Sequence, residues 1–143
     1  MPYRNKTFVS FDADSDMHYY RLMTAWKQND GFSFNFYDAH DLCQARDSSK
    51  EESIKAQLAE RLRNSKMFLL LIGEKTRYLH KFVHWEIEQA IKRELPIIAI
   101  NLNGKRSFDA TRCPPVLSEK LAIHISFGCK IVQHALDNWT RAC

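Results

Sequence analysis

The chain reads as a three-layer α/β fold, with a central parallel sheet of about five strands and helices on both faces, in a single domain spanning residues 1–143. Three observations carry this reading. Short apolar runs alternate with amphipathic helical patterns, the connections between them are mostly short, and Met67 to Ile72 shows no polar alternation, as expected of a central strand covered on both faces. At 143 residues, 45% hydrophobic and 27% charged, the chain suffices for one core but not two.

The elements follow in order. Thr7 to Phe11 is a β-branched and aromatic run, read as strand one. Asp12, Asp14, Ser15 and Asp16 then supply helix-starting chemistry for a first helix through Met17 to Gln28, and Asp30-Gly31 breaks it. Phe32, Phe34 and Phe36 alternate with polar residues and Tyr37 in the period of a half-buried strand, placed at an edge. Asp38 to Ser49 is polar and turn-rich. Ser49 to Glu52 can form a capping box for a helix whose Ile54, Leu58 and Leu62 share one face, and Asn64 and Ser65 stop it.

After strand three and the Gly73 turn, Val83, Ile87, Ala90, Ile91 and Leu95 mark the stripe of a third helix, ending near Pro96. Ile97 to Ile100 is strand four, Leu102 to Ser118 is irregular, Leu121 to Ile125 is strand five and Ile131 to Trp139 is a closing helix. A flavodoxin-like strand order, 2-1-3-4-5, fits this alternation best. Its ligand crevice opens between strands one and three, so Phe11 and Asp12 are expected to face the helix that carries Glu86.

Composition narrows the function. The longest apolar run is far short of the roughly 20 residues that a membrane span needs, and no apolar signal core follows Met1, so a cytoplasmic protein without membrane contact is expected. Cys43, Cys113, Cys129 and Cys143 lack Cys-x-x-Cys spacing and are read as reduced thiols. The net charge of +4 comes from scattered bases without a long basic run, which disfavours nucleic acid as a partner. His80, His84 and Glu88 are helically spaced but lack a His-Glu-x-x-His arrangement, so no metal site is expected. There is no Gly-x-Ser-x-Gly elbow and no phosphate-cradling glycine loop. A receiver domain would need an aspartate after strand three, where this chain has Gly73-Glu74.

Taken together, Thr7-Phe8-Val9-Ser10-Phe11 with Asp16 following, Leu70-Leu71-Ile72-Gly73, and Phe82-Val83-His84-Trp85-Glu86-Ile87 running on to Pro96-Ile97-Ile98-Ala99-Ile100 resemble the TIR superfamily. The closer likeness is to the TIR-like subunits of the bacterial Thoeris antiphage system, over roughly Lys6 to Trp139. The resemblance implies a flavodoxin-like, TIR-like fold and a pocket in which NAD, as substrate rather than cofactor, loses nicotinamide. It assigns Glu86 as the catalytic carboxylate, Phe82 as the aromatic beside the nicotinamide ribose, and Phe11, Asp12 and Asp38 as pocket residues. It further implies a cyclic or modified ADP-ribose signal read by a separate effector, a phage-derived trigger, and homo-oligomer pairing through the loop from Asp38 to Lys50. One departure stands out: some TIR NADases carry basic residues after strand one, where this chain has Asp12, Ala13 and Asp14. Such an acidic rim repels a diphosphate unless Lys81, Arg46 or Lys50 offsets it.

Blander readings stand beside these. Glu86 can be a solvated carboxylate that favours the helix dipole, while Phe11, Phe82 and Trp85 can be core aromatics. Asp12, Asp14 and Asp16 can be turn and capping residues, a role that suits Asp14 and Asp16 best, and Glu88, nearer the outward face, is given no role. The alternative function is a non-catalytic TIR-like adaptor that assembles through protein contacts.

Overall fold

The computed structural model describes residues 6–29, 35–38, 51–78, 82–117 and 122–138. Five strands form one parallel sheet in the order β2-β1-β3-β4-β5: β1 (Lys6–Ser10), β2 (Asn35–Asp38), β3 (Ser65–Ile72), β4 (Ile97–Asn101) and β5 (Ala122–Ser126). The helices are α1 (Ala13–Asn29), α2 (Glu51–Arg63), α3 (Val83–Lys92) and α4 (Cys129–Asn138), with a short 3-10 turn at Thr76–Tyr78. The expected flavodoxin-like order is therefore present, and β2 pairs with β1 alone among the described strands, as an edge strand does.

The alternation of side chains along β3 separates two cores. Phe68, Leu70 and Ile72 face Ile54, Leu58 and Leu62 of α2 and Val83, Ile87 and Ala90 of α3. Met67, Leu69 and Leu71 face the other way, toward Met23 of α1 and Val132, Ala135 and Leu136 of α4. With both faces covered, β3 is buried at every position except Lys66, which explains its unbroken apolar run.

Boundaries depart from the sequence reading at two places. Helix α1 begins at Ala13 rather than Met17, because Asp12 is its N-cap: Asp12 Oδ1 accepts from the Asp14 amide at 3.1 Å and the Asp12 carbonyl accepts from the Asp16 amide at 2.8 Å. Helix α3 stops before Pro96 is reached. The Leu95 amide bonds the Ala90 carbonyl and the Glu94 amide bonds the Ile91 carbonyl, a Schellman closure with Glu94 in the left-handed region at φ 57°. The segment 102–117 is irregular, as expected, and side chains hold it. Asn101 Nδ2 donates to the carbonyls of Lys105 and Ser107, and Asp109 accepts from Asn103 Nδ2 and the Thr111 amide. The proposed cap at Ser49 and Lys50 lies outside the described residues, as do Lys81, His80, Arg46 and all of the loop beyond Asp38.

Candidate active site

Glu86 sits in the first turn of α3, three residues after Val83 and four before Ala90, which puts it on the buried face of the helix rather than at its flank. It is 2% exposed, so the solvated reading does not hold. Its side chain reaches across to β1, where the Ser10 hydroxyl donates to Oε1 at 2.6 Å over a sequence separation of 76. The other oxygen, Oε2, is buried and has no hydrogen-bond partner among the described residues. Burial pushes the Glu86 carboxyl up to about 7, an effect that the bond from Ser10 partly opposes.

Strand periodicity explains the encounter. Phe8 belongs to the core beneath α2 and α3, so Ser10, two residues on, faces the same layer. The sequence reading passed over Ser10, although counting by twos from Phe8 would have found it. Phe82, 5% exposed, stands at the N-cap of α3 without a side-chain cap, and its carbonyl accepts from the Glu86 amide at 2.8 Å. Phe82 and Glu86 are thus joined by a backbone bond across the first turn of α3.

Phe11 and Asp12 are not turned toward α3, contrary to expectation. Phe11 packs in the opposite core, stacked on Tyr20 of α1 with ring centroids 5.0 Å apart, because an odd step along β1 points to the other face. Asp12, 4% exposed, commits Oδ1 to capping α1. For Asp38 the structure gives only the backbone, at the end of β2 opposite Val9. Glu88 is exposed and lies 3.5 Å from His84.

A second carboxylate that the sequence reading treated as a cap behaves differently. Asp16 is 7% exposed, its Oδ2 has no hydrogen-bond partner among the described residues, and burial, together with the neighbouring charge of Asp12, raises its pKa. It fits only because residue 73 is glycine: a Cβ there would stand 2.8 Å from Asp16 Cγ and closer still to Oδ2. Asp16, Gly73, Glu74, Lys75 and Arg112 are among the residues that line a cavity of about 260 Å³ at the carboxyl ends of β1 and β3, the switch point of this strand order. Arg112, 3.7 Å from Glu74, brings the positive charge that the acidic rim calls for, and nothing in the irregular segment carrying it marked it out beforehand. Glu86 does not line this cavity. Among the described residues there is no group of three or more His, Cys, Asp or Glu side chains able to hold a metal ion. No helix among them is long and apolar enough to cross a membrane.

The family model of the TIR-like domain of Thoeris protein ThsB matches residues 8–107, more than half of the chain. The chain belongs to this family. It is accordingly a TIR-like protein of the Thoeris antiphage type. The ThsB match takes in Ser10, Asp16, Gly73, Phe82 and Glu86, and ends before Arg112, β5 and α4. No curated protein matches the chain.

Proposed function

We propose that this ThsB-like domain is an NAD-processing enzyme that breaks the nicotinamide–ribose bond at Glu86 and releases a cyclic or modified ADP-ribose as a defence signal. The observation that carries this reading is the buried Glu86 carboxyl, anchored through one oxygen to the end of β1 while the other oxygen is unpartnered.

The chemistry suits a single carboxylate. Cleavage develops positive charge on the ribose, and an ionised carboxylate in a low-dielectric site stabilises that charge more in the transition state than in the ground state. The nicotinamide nitrogen is already cationic in NAD and leaves neutral, so no general acid is needed. With the carboxyl near 7, Glu86 is about half ionised at neutral pH, and a cationic substrate beside it favours the ionised form. Phe82, one turn earlier on the same helix, is the aromatic wall for the ribosyl end. Water as acceptor gives ADP-ribose, and a nucleophile from the same molecule gives a cyclic isomer where water is excluded. The product then acts on a separate effector, and activation follows a phage-derived trigger and pairing through the loop from Asp38 to Lys50.

The test is mass spectrometry of NAD products from purified protein and from lysates of phage-infected cells expressing it. Glu86→Gln is expected to lower nicotinamide release by roughly 100- to 1000-fold and to abolish phage protection. Equal products and equal protection from both proteins would end the enzyme reading. A non-catalytic assembly module is the second reading, favoured by the near-complete burial of Glu86. Under it, charge reversal at Arg46 or Lys50 abolishes protection while Glu86→Gln leaves it intact.

A further inference from the structure

We infer that Ser10 is the positioning residue for Glu86, holding Oε1 at the end of β1 so that Oε2 is the oxygen presented to the reacting sugar. The inference rests on the enzyme reading above and adds to it a residue with a separate role.

Two breaks in pattern meet at this point. On β1 the face toward α2 and α3 carries fully buried Phe8, and the next position on that face is a serine, 1% exposed. On α3 the stripe of Val83, Ile87 and Ala90 is interrupted by a glutamate, 2% exposed. Each alone would be a buried polar group in an apolar layer, a costly arrangement without a partner. Facing each other at 2.6 Å, they fall in the range of a hydroxyl bonded to an ionised carboxylate. Paired departures from the apolar pattern of this kind occur where function sets the residue.

A hydroxyl suits the task for a second reason. It donates to the carboxylate and accepts from the neutral acid, so the pair keeps its geometry in both protonation states. The post is also firm, because β1 is held on one side by β2 and on the other by β3, where Ser10 lies opposite Leu70. A strand end fixed in the sheet sets the carboxyl position more tightly than the helix alone.

Charged neighbours leave Ser10 as the polar contact that matters. Asp12, just beyond the end of β1, caps α1, Lys55 of α2 lies over the Trp85 ring at 5.4 Å, and His84 and Glu88 of α3 lie against each other. The causes of the shift at Glu86 are its burial and Ser10.

The experiment compares wild type, Ser10→Ala and Ser10→Thr, the last retaining the hydroxyl on a residue suited to a strand. Carbon-13 NMR of labelled glutamate carboxyls, with Glu86→Gln to assign the signal, reads the Glu86 titration without any turnover. Nicotinamide release across pH gives kcat and KM. Ser10→Ala is expected to raise the proton affinity of Glu86 about ten-fold. It is also expected to lower kcat about 10- to 100-fold with KM within about two-fold, a loss that persists at pH values where Glu86 is ionised. Ser10→Thr restores both.

An unchanged titration in Ser10→Ala overturns the inference, and so does a shifted titration with wild-type kcat at high pH, which makes Ser10 a structural partner only. If wild type cleaves no NAD in infected lysate, the enzyme reading fails by itself, and the titration still decides whether Ser10 holds Glu86. Should Ser10→Ala fail to fold, Ser10→Cys, near in size and a weaker donor, is expected to give an intermediate midpoint; a wild-type midpoint there overturns the inference.

Discussion

Glu86 and Asp16 are both buried carboxylates, each with an oxygen that has no hydrogen-bond partner among the described residues and a pKa raised by burial, yet the surroundings of the two differ. Glu86 lies in the apolar layer under α3 and is held by a hydroxyl from β1. Asp16 lies at the first turn of α1, pressed on the bare Cα of Gly73 beside a polar cavity, with Asp12 and Glu74 opposing its charge and Arg112 favouring it. Burial alone therefore does not distinguish a reactive carboxylate from a packed one; the partner on its second oxygen and the polarity around it do. The proposed assignment predicts that activity follows Glu86 and that Asp16 governs local packing.

The largest stability effect expected is a pH dependence set by Glu86. Its carboxyl titrates near 4.5 when unfolded and at about 7 when folded, so between these values the folded state binds the extra proton. The stabilising contribution is complete below 4.5 and is lost as pH rises through about 7, a change of about 3 kcal/mol. Urea unfolding at pH 5 and pH 8 checks it: wild type should lose stability across this window, and Glu86→Gln should lose much less. Equal slopes in the two proteins would show that the carboxyl is not held in this way.

Next in size is Gly73→Ala. Its Cβ displaces the Asp16 carboxyl, at an expected cost of about 2 kcal/mol. Because the atom in the way is a side chain, Asp16→Ala in the same chain should restore most of the loss, a coupling that a double-mutant cycle measures. If Gly73→Ala costs the same with or without Asp16, the contact is not the cause. The smallest effect is at Asp12, where Asp12→Ala removes the cap of α1 and should cost about 1 kcal/mol in thermal unfolding. Under the enzyme reading, that variant should still release nicotinamide, since Asp12 is turned to α1; a collapse of activity without loss of fold would return it to the pocket.

The same contrast separates what the amino-acid sequence reveals of this fold from what it hides. The strands were readable because burial on both faces makes β3 an uninterrupted apolar run, and α3 was readable because Val83, Ile87 and Ala90 keep helical period. Glu86 stands out because its place on the helix between two buried strands puts it near the carboxyl edge, whereas Phe82 is marked only by the resemblance to the TIR superfamily. The roles of Asp12, Asp14 and Asp16 could not be separated by residue type, since any of the three can cap a helix. What separates them is a glycine contributed by the turn after β3. The side to which Phe11 turns depends on strand parity, which the position of the crevice between strands one and three does not specify. Ser10 is legible only as a polar break in the every-other-residue pattern that Phe8 begins on β1, and its partner lies 76 residues away.

The Ser10–Glu86 bond closes a loop of 76 residues, and this has a consequence during synthesis. The strand bearing Ser10 leaves the ribosome well before α3 is complete, and until the two meet, Glu86 has the proton affinity of any solvated glutamate. The unusual acid is thus a property of the finished sheet, and a nascent chain is chemically ordinary at that position.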